Sequence, residues 1–132
     1  MYNGGKYLQL CVESILSQNY GKFELIVLDN RSSDQAINKL QELPEPQINI
    51  LTSKSNLTIQ ENGKRVLSIS KKKYMNIIGH DDLFDSNYLE IMKNLIQRNP
   101  DAVLYHAHFR LINTKGKVLK KCFPMPEREN AS

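Results

Sequence analysis

Three carboxylates, Asp81, Asp82 and Asp85, follow a short apolar run in the stretch IIGHDDLFD, residues 77–85. Adjacent like charges repel, so a fold that gathers them offers either solvent or a cation in return. Two chemistries fit. An acid at a helix entrance meets the unpaired N–H groups and the positive end of the helix dipole. That accounts for Asp85, which stands just before a strong helical pattern. One cap needs one side chain, so Asp81 and Asp82 remain, and they suit a divalent cation. Mg2+ or Mn2+ takes hard oxygen ligands and is commonly held by one or two carboxylates together with substrate phosphates. Such an ion acts as a Lewis acid on a departing diphosphate.

The other reactive residues point less sharply. Asp29 closes an apolar run, LIVLD. His106 and His108 alternate and so share a strand face, but no third ligand accompanies them, which makes them core or surface histidines. Cys11 and Cys122 are far apart, and no CxxC pair suggests zinc or redox chemistry. Cys11 falls on an apolar helical face and reads as a small buried hydrophobe; a reducing compartment is the default. The 132 residues suffice for one domain, with the ordinary hydrophobic (40%) and charged (24%) content of a globular protein. A net charge of +4 would suit a phosphate, a nucleic acid or a lipid surface without choosing among them, and a solvated lysine-rich surface explains it as well. No apolar run approaches the roughly 18 residues that span a bilayer.

The elements that must position these residues alternate between helix and strand. MYNGG is turn chemistry. Residues 6–18 carry Tyr7, Leu8, Cys11, Val12 and Ile15 at helical spacing, and residues 23–29 form a strand covered on both faces. Ser32 and Gln35 fit a capping box for a helix lined by Ala36, Ile37, Leu40 and Leu43, which ends at Pro44 to Pro46. A strand at 48–53, a weak helix at 58–70 and a third strand at 74–80 follow. A helix at 86–99, capped near Asp85 or Ser86, precedes a fourth strand at 102–112. NTKG then turns the chain so that residues 117–123 pair back as a hairpin, and PMPEREN is a loose tail. The division is one domain over 1–123 and a tail over 124–132. This order predicts an α/β fold with a mostly parallel sheet. Ligands of such sheets sit outside the C-terminal strand ends, where Asp29 and the His80-Asp81-Asp82 group both fall.

DDLFD also matches the aspartate-rich DDxxD signature of isoprenyl diphosphate synthases, but that motif works on a helix in a large all-helical bundle, and here a strand-like segment precedes it. A receiver-like domain would use Asp29 and Asp81, but the lysine it needs at a later strand end has no clear candidate. A third likeness extends much further. Ser14-Ile15-Leu16-Ser17-Gln18-Asn19-Tyr20 and Phe23-Glu24-Leu25-Ile26-Val27-Leu28-Asp29-Asn30 resemble the opening of glycosyltransferase family 2. Asn56-Leu57-Thr58, Lys73-Tyr74-Met75, His80-Asp81-Asp82-Leu83 and Asn99-Pro100 recur in that family's order and spacing, so the likeness covers residues 2–117.

The resemblance implies an incomplete Rossmann-like GT-A sheet with helices on both faces. It implies an inverting, metal-dependent transfer of a sugar from a nucleotide diphosphate sugar, a UDP-sugar, to a hydroxyl acceptor on a glycan or lipid-linked glycan. Asp29 matches the acid that bonds the nucleobase, Tyr2 the loop residue beside that base, and Asp81 the Mg2+ or Mn2+ ligand of the DxD motif. His80 stands where a ribose-contacting acid is common, and Asp82 assists. No nucleic-acid partner is implied. A cytoplasmic location follows, compatible with peripheral association at the inner face of the membrane. Gly79 occupies the first Asp position of the fuller motif, and Lys64 replaces a common Asn. The family's first strand and its catalytic base have no match here; Glu127 and Glu129 fit no such motif, so no catalytic residue is assigned. The chain therefore reads as the donor-binding part of a transferase, with a non-catalytic nucleotide-sugar-binding fragment as the alternative.

Overall fold

The computed structural model describes residues 1–69 and 72–122, which divide into two compact units, Met1–Lys93 and Asn94–Ser132. The first unit is built on a β–α–β turn of chain. Strand β1 (Leu25–Asp29) runs parallel to β2 (Ile48–Thr52), in register from Leu25 opposite Ile48 to Asp29 opposite Thr52. Parallel neighbours need a crossover, which α2 (Ala36–Gln41) supplies. Helix α1 (Gly5–Leu16) precedes β1 and buries Leu8, Cys11, Val12 and Ile15, the stripe its spacing predicts. Tyr7, at the edge of that stripe, is exposed. Leu8 and Val12 of α1, Val27 of β1, and Ala36 and Leu40 of α2 close the core. The chain is thus an α/β protein with a parallel sheet, as its alternating pattern predicts.

Several expectations change locally. The strand foreseen at 74–80 makes no ladder. A strand needs a partner, and among the described residues the edge of β1 away from β2 is hydrogen-bonded by Met1, which donates its amine to Leu28 and accepts from Asn30 N–H. Residues 74–80 are instead held by side chains, Asn76 Nδ2 to Tyr88 Oη (2.6 Å) and Cys11 Sγ to the Gly79 carbonyl (3.4 Å). The capping box at Ser32 and Gln35 does not form. Gln35 stands at the helix start without a side-chain cap bond, and Ser32 serves the loop before it. The real capping box belongs to α3 (Ile59–Ile69), where the Glu61 carboxylate accepts from Thr58 N–H (2.7 Å) and hydroxyl (2.8 Å).

Helix α4 (Tyr88–Arg98) starts in the first unit, with Tyr88 N–H on the Asp85 carbonyl. In the second unit the long strand expected at 102–112 shrinks to β3 (Arg110–Ile112). It pairs antiparallel with β4 (Val118–Lys121), the expected hairpin, with a register irregularity between Leu111 and Ile112. The tail at 124–132 lies outside the described residues, as do Glu127 and Glu129.

Candidate functional site

The loop that leaves β1 is built around Asp29, which is only 2% exposed. Both its carboxylate oxygens accept from Ser32 N–H, at 3.1 and 3.3 Å. Arg31 between them takes φ 59°, the left-handed conformation such a tight loop requires. Asn30 (7% exposed) faces the other way and ties down the loop after β2. Its Oδ1 accepts from Leu57 N–H (2.7 Å) and its Nδ2 donates to the Leu57 carbonyl (2.9 Å). Arg65, reaching from α3, donates to the carbonyls of Asp29 (2.9 Å) and Leu51, so one cation covers the C-terminal ends of both strands.

Residues 1–5 bridge this loop to the second acidic feature. On one side Asn3 N–H donates to Ser32 Oγ (2.9 Å), Ser33 N–H to Asn3 Oδ1 (2.9 Å) and Gly5 N–H to Asp34 Oδ2 (2.8 Å). Asn3 (φ 48°) and Gly5 (φ 51°) both take the left-handed conformation, which is why turn residues stand there. On the other side Gly4 is buried against His80. A Cβ on Gly4 would lie 3.1 Å from the imidazole Cδ2 and 2.8 Å from Leu8 Cβ. The loops that carry Asp29 and His80 thus both contact one five-residue segment.

The second loop gathers its carboxylates over a glycine. A Cβ on Gly79 would come within 2.8 Å of Asp82 Oδ2 and 3.1 Å of Asp81 Oδ1, so the two oxygens converge on one point above the backbone. Both residues are exposed. Their combined charge reaches Cys11, whose thiol is pushed up to about 11, first by burial and then by Asp82 and Asp81. Among the described residues no third His, Cys, Asp or Glu joins them into a closed metal cage. Two converging exposed carboxylates with open positions nevertheless fit Mg2+ or Mn2+, which keep water and phosphate oxygens as their other ligands.

The loop is fixed from behind by α1. Ser14 Oγ accepts from Phe84 N–H (3.1 Å). Gln18, 8% exposed, donates to the Asp85 carbonyl (2.8 Å) and accepts from Leu89 N–H (2.9 Å). Of the residues singled out from sequence, Asp29, His80, Asp81 and Asp82 therefore sit on loops that share the residue 1–5 segment. Tyr2 lies within that segment and is exposed. Asn30, Arg65 and Gln18 support these loops without having been singled out as site residues, and Ser32, read from sequence as a helix cap, does so as well. Gln18 was visible only inside the Ser14–Tyr20 phrase, and nothing local distinguishes Arg65 from any helical cation.

Comparison with known proteins adds to this geometry. The family model described as "Glycosyl transferase family 2" matches residues 1–131. The glycosyltransferase GlyG of Streptococcus pneumoniae is 29% identical over 88% of this chain and 39% of its own length. WfgD of Escherichia coli, a UDP-Glc:alpha-D-GlcNAc-diphosphoundecaprenol beta-1,3-glucosyltransferase, is 25% identical over 93% of this chain and 48% of its own. The chain thus spans less than half the length of these relatives. Staphylococcus aureus TarS shares the fold, with a TM-score of 0.68 and 19% identity over 76% of this chain and 19% of TarS.

Proposed function

The chain belongs to glycosyl transferase family 2, and from that premise we propose that it binds the nucleotide-sugar donor of an inverting glycosyl transfer. One observation carries this reading. The loops bearing Asp29 and His80 both contact the residue 1–5 segment, which supports a donor lying between a buried acid for a base and an exposed acid pair for a diphosphate. Asp29 bonds the base, a uracil, through a carboxylate held by Ser32 N–H; Tyr2 packs beside it, and His80 lies nearest the ribose. Asp81, assisted by Asp82, holds Mg2+ or Mn2+, which when bound neutralises charge on the leaving diphosphate. The acceptor is a hydroxyl on a glycan or lipid-linked glycan, as the name of the E. coli relative describes for that protein. The chain works in the cytoplasm, with association at the inner face of the membrane.

Titration of UDP by calorimetry, with and without Mn2+, tests the reading. Binding strengthens with Mn2+ in the wild type, and Asp81→Ala abolishes that gain while leaving weak metal-free binding. Equal affinity with and without metal overturns the role of Asp81. Absence of any UDP binding overturns the donor site itself. Consumption of UDP-sugar, followed as UDP release, separates a transferase from a unit that only binds.

A further inference from the structure

Gly79 lies under the acidic pair, and its backbone does not call for a glycine. Turn glycines are commonly kept for a left-handed φ. Among the described glycines Gly5 and Gly116 take that conformation and Gly79 does not, so a side chain at 79 would meet no backbone strain. What it would lack is room. The place of its Cβ is taken by Asp82 Oδ2, 2.8 Å away, and Asp81 Oδ1, 3.1 Å away. A carbon that close to an oxygen overlaps it, so the backbone or the carboxylates must give way.

The backbone is the better anchored of the two. The Gly79 carbonyl accepts from Asp82 N–H (3.2 Å), which closes the turn, and from the Cys11 thiol (3.4 Å), which ties that turn to the buried stripe of α1. At the next position His80 is packed against Gly4. Asp81 and Asp82 are exposed, and their carboxylates turn at little cost. A side chain at 79 therefore displaces the carboxylates and leaves the fold in place. Counted by charge alone, a glycine here only thins the acidic cluster. The geometry points the other way. We propose that Gly79 is a positioning residue of the acidic pair: its missing side chain lets Asp81 and Asp82 bring one oxygen each to the same point, where a single Mg2+ or Mn2+ takes both. The proposal rests on the reading that Asp81 holds the metal. Mg2+ demands near-ideal octahedral geometry, so a pair held apart grips it poorly even with both charges kept.

Calorimetric titration of UDP with and without Mn2+ tests the proposal, the readout being the affinity gained from the metal. Gly79→Ala lowers that gain about ten- to a hundredfold, the loss typical of groups that orient metal ligands, while the melting temperature and the metal-free UDP affinity stay at the wild-type values. A double-mutant cycle separates displacement of a carboxylate from a general weakening. Asp82→Ala leaves Asp81 as ligand and removes the oxygen nearest the new Cβ, so Gly79→Ala costs little in that background. Equal cost in both backgrounds overturns the proposal, as does a full metal gain in Gly79→Ala. A lower melting temperature or weaker metal-free UDP binding in Gly79→Ala also overturns it, because the substitution then acts through the fold. The two readings fail separately. A gain lost in Asp81→Ala but intact in Gly79→Ala sinks the role of Gly79 alone, whereas a gain untouched by Asp81→Ala sinks the metal site and the role of Gly79 with it.

Discussion

At the scale of single residues, Asp29 joins burial to a narrow set of partners. Its carboxylate already accepts from Ser32 N–H, and that bond survives replacement by a neutral amide of the same shape. Asp29→Asn therefore keeps the fold while removing the charge that strengthens a bond to a donor on the base. A hydrogen bond to a charged group is worth about 1.5–3 kcal/mol, so UDP affinity is expected to fall about ten- to a hundredfold by calorimetry, with the melting temperature little changed. Cys11 gives a second expectation. Burial, with help from Asp82 and Asp81, pushes its thiol from 9.0 up to about 11. A folded-state value raised above the unfolded one stabilises fully below about pH 9 and loses that contribution as pH rises toward about 11. Denaturant titrations from about pH 8 upward should show the wild type losing more stability through this window than Cys11→Ala. At about pH 8 a thiol reagent should modify the partly exposed Cys122 well before Cys11. These side chains were readable to different degrees. Asp29, Asp81 and the burial of Cys11 announce themselves through type and pattern. Asn30 and Arg65 act through backbone partners that only the fold brings near.

At the scale of elements, the sequence foretold what local periodicity controls. The apolar stripe of α1 and the aliphatic run of β1 appear where their patterns put them. The segment at 74–80 has a strand's composition but no ladder, because strand formation is settled by a neighbour and not by the run itself. The cap motifs show the same limit. Ser32 looks like a cap and serves Asp29, whereas Thr58 and Glu61 cap α3, whose pattern is only a weak helix. The same distinction explains Gln18, an exposed-looking residue at the end of α1. Its amide joins α1 to both sides of the turn into α4, donating to the Ser14 and Asp85 carbonyls and accepting from Leu89 N–H. Gln18→Ala removes three part-buried hydrogen bonds and leaves the Leu89 N–H without its side-chain acceptor, at a cost of about 1–3 kcal/mol. A lower melting temperature is expected, together with weaker Mn2+-dependent UDP binding, since the acidic loop loses its support from behind. A variant that melts early but binds metal and UDP normally would show that α1 supports the fold alone.

At the scale of the chain, protection from solvent is unevenly shared. Among the described residues the buried apolar side chains all belong to α1, β1 and α2, whereas α3 and α4 bury none and every residue of β3 and β4 is exposed. Amide exchange follows local opening, which is cheapest where few apolar contacts must break. Exchange read by mass spectrometry should therefore be slowest in peptides from α1, β1 and α2, and fast across the hairpin. Ligand binding adds stability in proportion to the logarithm of its concentration over its dissociation constant, about 2.7 kcal/mol at a hundredfold excess. With UDP and Mn2+ present, slowing should appear first at residues 1–5, 29–33 and 79–84, the segments of the proposed donor site, and the hairpin should be unaffected. Nucleotide-dependent protection confined to the hairpin, with none around Asp29 and Asp81, would place the donor on the wrong part of the chain.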